Sequence, residues 1–151
     1  GNEKEQWDTV AIQYPKDYKE GVKYPLYVVF HSAGHDVYST IGCVWGEGNH
    51  DITVIDSDSK LLEDVAGTTD VVTVEGDCTT FATLKKASVR KADLFIAVNH
   101  EENTNILSAI MAKQLGAKKS IARIDNNEYL EPNNKEMFID MGIDYLFYPE
   151  K

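Results

Sequence analysis

Positive charge is what this sequence has least of. Its 15 Lys and Arg stand against 25 Asp and Glu, a formal net charge of −10. A nucleic-acid surface needs a local surplus of cations to neutralise phosphates, so the balance argues against that class of partner. A small phosphate ligand is not, because helix N-termini and backbone N–H groups hold phosphate without net positive charge. Long apolar runs are missing too. None reaches the ~20 residues of a membrane-spanning helix, and no charged-then-apolar signal segment opens the sequence. Cysteine is scarce: Cys43 and Cys78 make no recognisable pair and read as small buried thiols of a reducing compartment. No G-x-G-x-x-G, G-x-S-x-G or H-E-x-x-H occurs anywhere.

What is present suits one ordinary domain. A chain of 151 residues, 42% hydrophobic and 26% charged, buries roughly 70% of its unfolded surface on folding. From His50 onward short β-branched runs alternate with amphipathic ones. Residues 51–56 (DITVID) read as a strand, and Ser57-Asp58-Ser59 offers caps for a helix over 60–66 that Gly67 stops. Residues 70–74 (DVVTV) are the next strand. Glu75-Gly76-Asp77 turns it, and Thr79 or Thr80 caps a helix carrying Phe81, Leu84 and Ala87.

Residues 92–98 (ADLFIAV) form a continuous apolar strand of the kind buried on both faces of a parallel sheet. Ile106, Leu107, Ile110, Met111 and Leu115 then make one helical stripe, which reads as core, and Gly116 ends it. Residues 119–124 (KSIARI) give another strand. Pro132 suits the first turn of a helix ending near Met141, with Gly142 as its stop, and residues 143–148 (IDYLFY) are the last strand. Strands and helices alternating at this spacing predict a doubly wound α/β fold with a parallel sheet.

The first fifty residues are less regular. Residues 1–24 read as an N-terminal extension to a domain over 25–151. Within it, residues 7–14 (WDTVAIQY) are compatible with an extra edge strand, and the prolines at 15 and 25 bracket a loop. Residues 26–30 (LYVVF) are a strong buried strand. After it, Val37, Ile41, Val44 and Trp45 lie on one helical face, although Gly42 and Gly46 each weaken that helix by roughly 1 kcal/mol relative to Ala. His31 and His35 with Asp36 are a metal option only if the turn is helical. Gly34 argues against that, and no third ligand presents itself. His50 and His100 read as surface or capping histidines.

Several segments in order carry a family resemblance: GNHDITVIDSD, TTDVVTVEGDCTT, KADLFIAVNHEENTNILSAIMAKQLGAKKSIARI and MGIDYLFYPE. Together, from about Gly48 to Glu150, they resemble the RCK (regulator of potassium conductance) N-terminal domain, the module of TrkA- and KtrA-type subunits. The resemblance implies a Rossmann sheet of order 3-2-1-4-5-6 that binds NAD(H) or ATP, ADP or AMP across its switch point. It implies that Asp56 holds the ribose hydroxyls, a carboxylate accepting both in a fork. Asp77 and Cys78 would touch the adenine, Asn99 would pass under the ligand, Asn105 would sit near the start of the next helix, and Arg123 would approach the phosphates. It further implies a regulatory, non-enzymatic domain on the cytoplasmic side of the membrane. That domain would be a homodimer or higher oligomer bound to a potassium-transporting membrane subunit, and the family continues beyond Glu150 into a C-terminal subdomain.

Each residue has a structural alternative. Asp56 and Asp58 can cap a helix, Asp77 can stabilise a turn, and Arg123 can pair at a surface or interface. At the phosphate loop the sequence departs from the family. Counting back from His50-Asp51, the three glycine positions hold Ala33, His35 and Tyr38, with Gly34 between the first two. The loop has the correct flanks and the wrong residues, which predicts a kept fold and impaired binding.

Residues 24–48 also resemble, weakly, the strand and oxyanion loop of α/β-hydrolases, which raises a chain assembled from two sources. Two rivals follow: a hydrolase-derived esterase fragment using Ser32, and an α/β domain without ligand.

Overall fold

The computed structural model describes residues 26–30, 51–68 and 71–149. Their elements run β1 (Leu26–Phe30), β2 (Asp51–Asp56), α1 (Ser59–Thr68), β3 (Val72–Glu75), α2 (Phe81–Lys86) and a 3-10 turn (Val89–Lys91). Then come β4 (Leu94–Ala97), α3 (Glu102–Leu115), β5 (Ser120–Arg123), a second 3-10 turn (Asn127–Leu130), α4 (Pro132–Asp140) and β6 (Tyr145–Phe147). The expected edge strand at 7–14, the helical face from Val37 to Trp45, the histidine pair and the loop residues Ala33, Gly34 and His35 lie outside the described residues.

The six strands form one sheet of order β3-β2-β1-β4-β5-β6, every described pairing parallel. This is the doubly wound order expected. Strand β1 sits at its centre, with Phe30 opposite Ile55 on one side and Ala97 on the other. Chain direction across the sheet reverses between β1 and β4, so a crevice opens at the carboxyl ends of these two strands.

Alternation along the strands builds two cores. Ile55, Val74, Phe95, Ala97, Ala122 and Leu146 face one side, with Leu84, Ala109, Ala112 and Phe138 from the helices. Ile52, Val54, Leu94, Ile96 and Ile121 face the other side, with Leu62 and Val65 of α1. All four residues of β4 are buried, which is why its sequence is a continuous apolar run. Each large side chain so buried contributes about 1.5–3 kcal/mol.

Two expectations, for the end of α1 and the buried face of α3, need correcting. Gly67 does not stop α1, which runs on to Thr68; a glycine near a helix end costs only about 1 kcal/mol and need not break it. Phe81 is half exposed although Leu84 and Ala87 are buried. The Thr80 side chain accepts from the Thr83 N–H and fixes where α2 starts, which turns Phe81, the first helical residue, outward. In α3 the buried face is Asn105, Ser108, Ala109, Met111 and Ala112, whereas Leu107 is half exposed. Small residues let α3 lie close to β4 and β5, and the large apolar ones are displaced to the flank. Gly116 does cap α3, and Pro132 does open α4.

Candidate functional site

Four parallel strands end along one edge of the sheet, and each delivers a polar residue there. Asp56 is the last residue of β2 and is almost wholly buried, at 1% exposure. Its Oδ1 accepts the Asp58 backbone N–H at 2.9 Å. Asp58, not Asp56, caps α1: its Oδ1 accepts the N–H groups of Lys60 (3.0 Å) and Leu61 (3.3 Å). The capping alternative therefore belongs to Asp58, and the buried carboxylate of Asp56 is at the strand tip for a different reason.

After β3, Gly76 turns the chain with φ +158°, its N–H donating to the Asp56 carbonyl at 3.0 Å. A Cβ there would lie 2.5 Å from Thr83 Oγ1, so the turn closes tightly on α2. Asp77 follows, exposed, with Oδ1 accepting both the Thr79 N–H (2.8 Å) and the Thr79 hydroxyl (2.6 Å). Those bonds hold its carboxyl below the usual range. Cys78 next to it is fully buried. Burial pushes its thiol well up, and the charges of Asp77 and Asp56 push it further. A thiol so suppressed is a packing group, not a nucleophile.

The far side of the crevice is held by α3. Asn105 is buried and its amide is fully engaged. Oδ1 accepts the Asn99 N–H at 2.7 Å, and Nδ2 donates to the carbonyls of Asn99 (2.6 Å) and Arg123 (3.0 Å). It thus ties the end of β4 to the end of β5, and it sets the positions of Asn99 and Arg123. The Asn99 side chain in turn accepts the Glu101 N–H at 2.9 Å. Glu102 performs a similar task one turn earlier: its Oε2 accepts the N–H groups of Asp125 (2.6 Å) and Asn126 (2.7 Å). Sequence reasoning missed Glu102. Its only local signal is an acidic residue in the first turn of a helix, whereas the groups it holds lie 23 and 24 residues away.

Arg123, the last residue of β5, has a buried Nε that makes no hydrogen bond among the described residues. The Asp125 carboxylate stands 4.0 Å off, too far to satisfy it. A buried guanidinium N–H without an acceptor, at a strand tip beside a crevice, suits an anionic group brought in by a ligand. Asp56, Asp77, Cys78, Asn99, Asn105 and Arg123 are therefore all described, and all lie at this carboxyl edge. Ala33, Gly34 and His35 follow β1 in sequence, but their placement is outside the described residues. Among the described residues no cluster of three His, Cys, Asp or Glu side chains could hold a metal ion.

A parallel sheet of this order, with acidic, amide and guanidinium groups at its switch point, defines a Rossmann-like α/β domain. The chain belongs to the TrkA-N domain family, whose model matches residues 44–149. It is 30% identical over 126 residues to the Trk system potassium uptake protein TrkA homolog of Methanothermobacter thermautotrophicus. That alignment covers 83% of this chain and 56% of the relative, so the chain spans about half of the relative's length. A match covering 83% of 151 residues must reach back to residue 27 or beyond, so likeness to this relative is not confined to the part after residue 48.

Solved structures agree on the fold. The GsuK channel bound to NAD superposes with a TM-score of 0.60 at 18% identity, covering 85% of this chain and 22% of that one. The GsuK protein bound to ADP superposes at 0.62 and 17%, covering 87% and 32%. Neither the fold nor these relatives lend support to the esterase alternative.

Proposed function

We propose that residues 25–151 form a ligand-sensing module of a potassium-uptake system, binding NAD(H) or an adenine nucleotide at the carboxyl edge of the sheet. Asp56 would accept the ribose hydroxyls, Asp77 and Cys78 would border the adenine, Asn99 would lie beneath the ligand, and Arg123 would meet the phosphates. The module is regulatory and not an enzyme. It would act as a homodimer or larger ring at the cytoplasmic face of the membrane, where occupancy biases the geometry felt by a pore subunit. Among the described residues no helix is long and apolar enough to cross a membrane, so contact with the bilayer would run through that partner.

The observation that carries this reading is the buried carboxylate of Asp56 at the tip of β2. Its Oδ1 already accepts the Asp58 N–H at 2.9 Å, and a carboxylate has acceptor capacity beyond one such bond, enough to take ribose hydroxyls in a fork. Similarity supports the choice of ligand, since relatives of this fold have been solved with NAD and with ADP. Ala33, His35 and Tyr38 in place of the three glycines weaken the hold on the pyrophosphate, so the affinity should be modest.

Thermal unfolding with NAD, NADH, ATP, ADP and AMP tests this. A ligand that binds only the folded chain raises the midpoint in proportion to RT ln(1 + [L]/Kd). At least one of the five should do so, the shift should vanish in Asp56→Ala, and it should grow when Ala33, His35 and Tyr38 are changed to glycine. No shift at millimolar concentrations of any of them would sink the sensor reading.

A further inference from the structure

The amino end of the sheet, opposite the crevice, carries a feature that the nucleotide reading leaves unused. A cavity of about 370 Å³ is lined by Lys85, Ser88, Arg90, Lys91 and Leu115. Its volume falls at the small end of the ~300–1,000 Å³ typical of ligand pockets. Three of these five lining residues are cations, in a chain whose net charge is −10.

These cations are not spent on carboxylates. Other lysines at this end are paired, Lys113 with Asp144 at 2.8 Å and Lys118 with Asp93 at 2.9 Å. Lys85, Arg90 and Lys91 have no such partner among the described residues. Their clustering is also more than the helix ends need. One cation in a last turn complements the macrodipole, but Lys85 shares the last turn of α2 with Lys86, and Arg90 and Lys91 follow together in the 3-10 turn.

The end of α2 places Ser88 among these cations, its N–H donating to the Lys85 carbonyl at 3.0 Å. Ser88 has φ 58° and ψ 36°, the only left-handed non-glycine among the described residues. That conformation favours Gly or Asn, and a serine held there is strained. Its hydroxyl caps nothing, although Ser88 heads the 3-10 turn, and the residue lines the cavity. The turn itself is set firmly: a Cβ on Gly116 would lie 3.2 Å from the Arg90 carbonyl oxygen, so α3 packs directly against it.

We propose that this cavity is a second ligand site, for a small phosphate-bearing anion, formed by Lys85, Ser88, Arg90 and Lys91 at the opposite end of the sheet from the crevice. Guanidinium and ammonium groups around one opening match the several oxygens of a phosphate, and the Ser88 hydroxyl adds a donor. The site does not depend on the crevice binding a nucleotide.

Inorganic pyrophosphate titrated into the ¹⁵N-labelled 151-residue chain is the test. The amides of Ser88, Arg90 and Lys91 should shift and saturate, and the triple variant K85Q/R90Q/K91Q should bind about tenfold more weakly or worse. All three positions are exposed, so the variant should keep the wild-type spectrum elsewhere. Ser88→Gly should unfold at a higher temperature, its strain relieved, and yet bind pyrophosphate more weakly; equal binding would remove the hydroxyl from the site.

A lipid headgroup offers the same chemistry. If the chain sediments with phosphatidylcholine vesicles containing phosphatidic acid, but not with phosphatidylcholine alone, and pyrophosphate releases it, the phosphate comes from a membrane surface. Saturable pyrophosphate shifts without sedimentation identify a free phosphate compound. Shifts confined to Asp77 and Asn99, or shifts unchanged in the triple variant, overturn the proposal, as does no response in either arm.

Discussion

The two ends of α3 are anchored by different physics. At its start, side-chain amide and carboxylate groups of Asn105 and Glu102 reach across and bind backbone groups at the tips of β4 and β5. At its end, fixation comes from shape and charge: Gly116 lets the Arg90 backbone press close, and Lys113 reaches Asp144 ahead of β6. The helix is 14 residues, about 21 Å, so a ligand at the crevice and one at the cation-lined cavity would act on opposite ends of one rod. Hydrogen-bond clamps are directional and buried, and they fix a site. Packing and ion pairs tolerate more movement, and they suit an end that has only to stay docked.

If the contrast is real, substitutions at the crevice end should cost more than those at the other. Asn105→Ala removes three hydrogen bonds and leaves the Asn99 N–H and the carbonyls of Asn99 and Arg123 without that partner, which should destabilise the fold by about 3 kcal/mol. Urea unfolding measures this, and the same variant should lose any nucleotide-induced shift, because Asn99 and Arg123 are no longer held. A loss under ~1 kcal/mol would mean that the clamp is decorative. Gly116→Ala comes next. At φ +122° an L side chain is strained, and its Cβ would crowd the Arg90 carbonyl and Cγ at 3.2 and 3.3 Å, so about 2 kcal/mol should be lost. Its nucleotide response should survive, provided unfolding is measured at matched stability. If G116A abolished that response and N105A spared it, the two ends would have been assigned the wrong way round.

The same contrast explains what could be read from the sequence. Element types were legible, because apolar periodicity and turn residues act locally: the run at 92–98 announces a doubly buried strand, and Gly116 and Pro132 mark helix ends where they fall, whereas the strand order came from the family resemblance. Asp56 and Arg123 were legible only through family resemblance, since nothing near them in sequence says that a strand ends beside a crevice. The clamps were not legible. Glu102 meets Asp125 and Asn126, and Asn105 meets Arg123, across 18 to 24 residues, and an acidic residue or an asparagine in a first helical turn has many ordinary reasons to be there. The stripe through Leu107 misled for a related reason. Asn105 anchors the helix by a polar group, so the face turned to the sheet is small and partly polar, not the most apolar one. Lys85, Arg90 and Lys91 are unremarkable in a row of residues, and only the fold brings them round one cavity with a strained serine.

The smallest effect belongs to the ion pair at the far end, and pH exposes it. Asp144 is partly buried, which raises its carboxyl, but hydrogen bonds from Lys113 and from the Ser120 N–H, with the charge of Lys113, outweigh burial and hold it below its ordinary 3.8. A carboxyl lowered in the folded state binds fewer protons than in the unfolded chain. Its contribution is therefore complete above the ordinary carboxylate range and disappears as pH falls through the folded value. Asp144→Asn keeps an oxygen for the Ser120 N–H and removes only the charge, so it should cost about 1 kcal/mol at neutral pH, a figure suited to a partly buried pair that solvent still reaches. Urea unfolding of the two proteins should show that gap narrowing below about pH 4 and closing under the folded value. High salt at neutral pH should narrow it too. A gap that stays constant across that range would assign the loss to packing around residue 144, and the far end of α3 would then be held by shape alone.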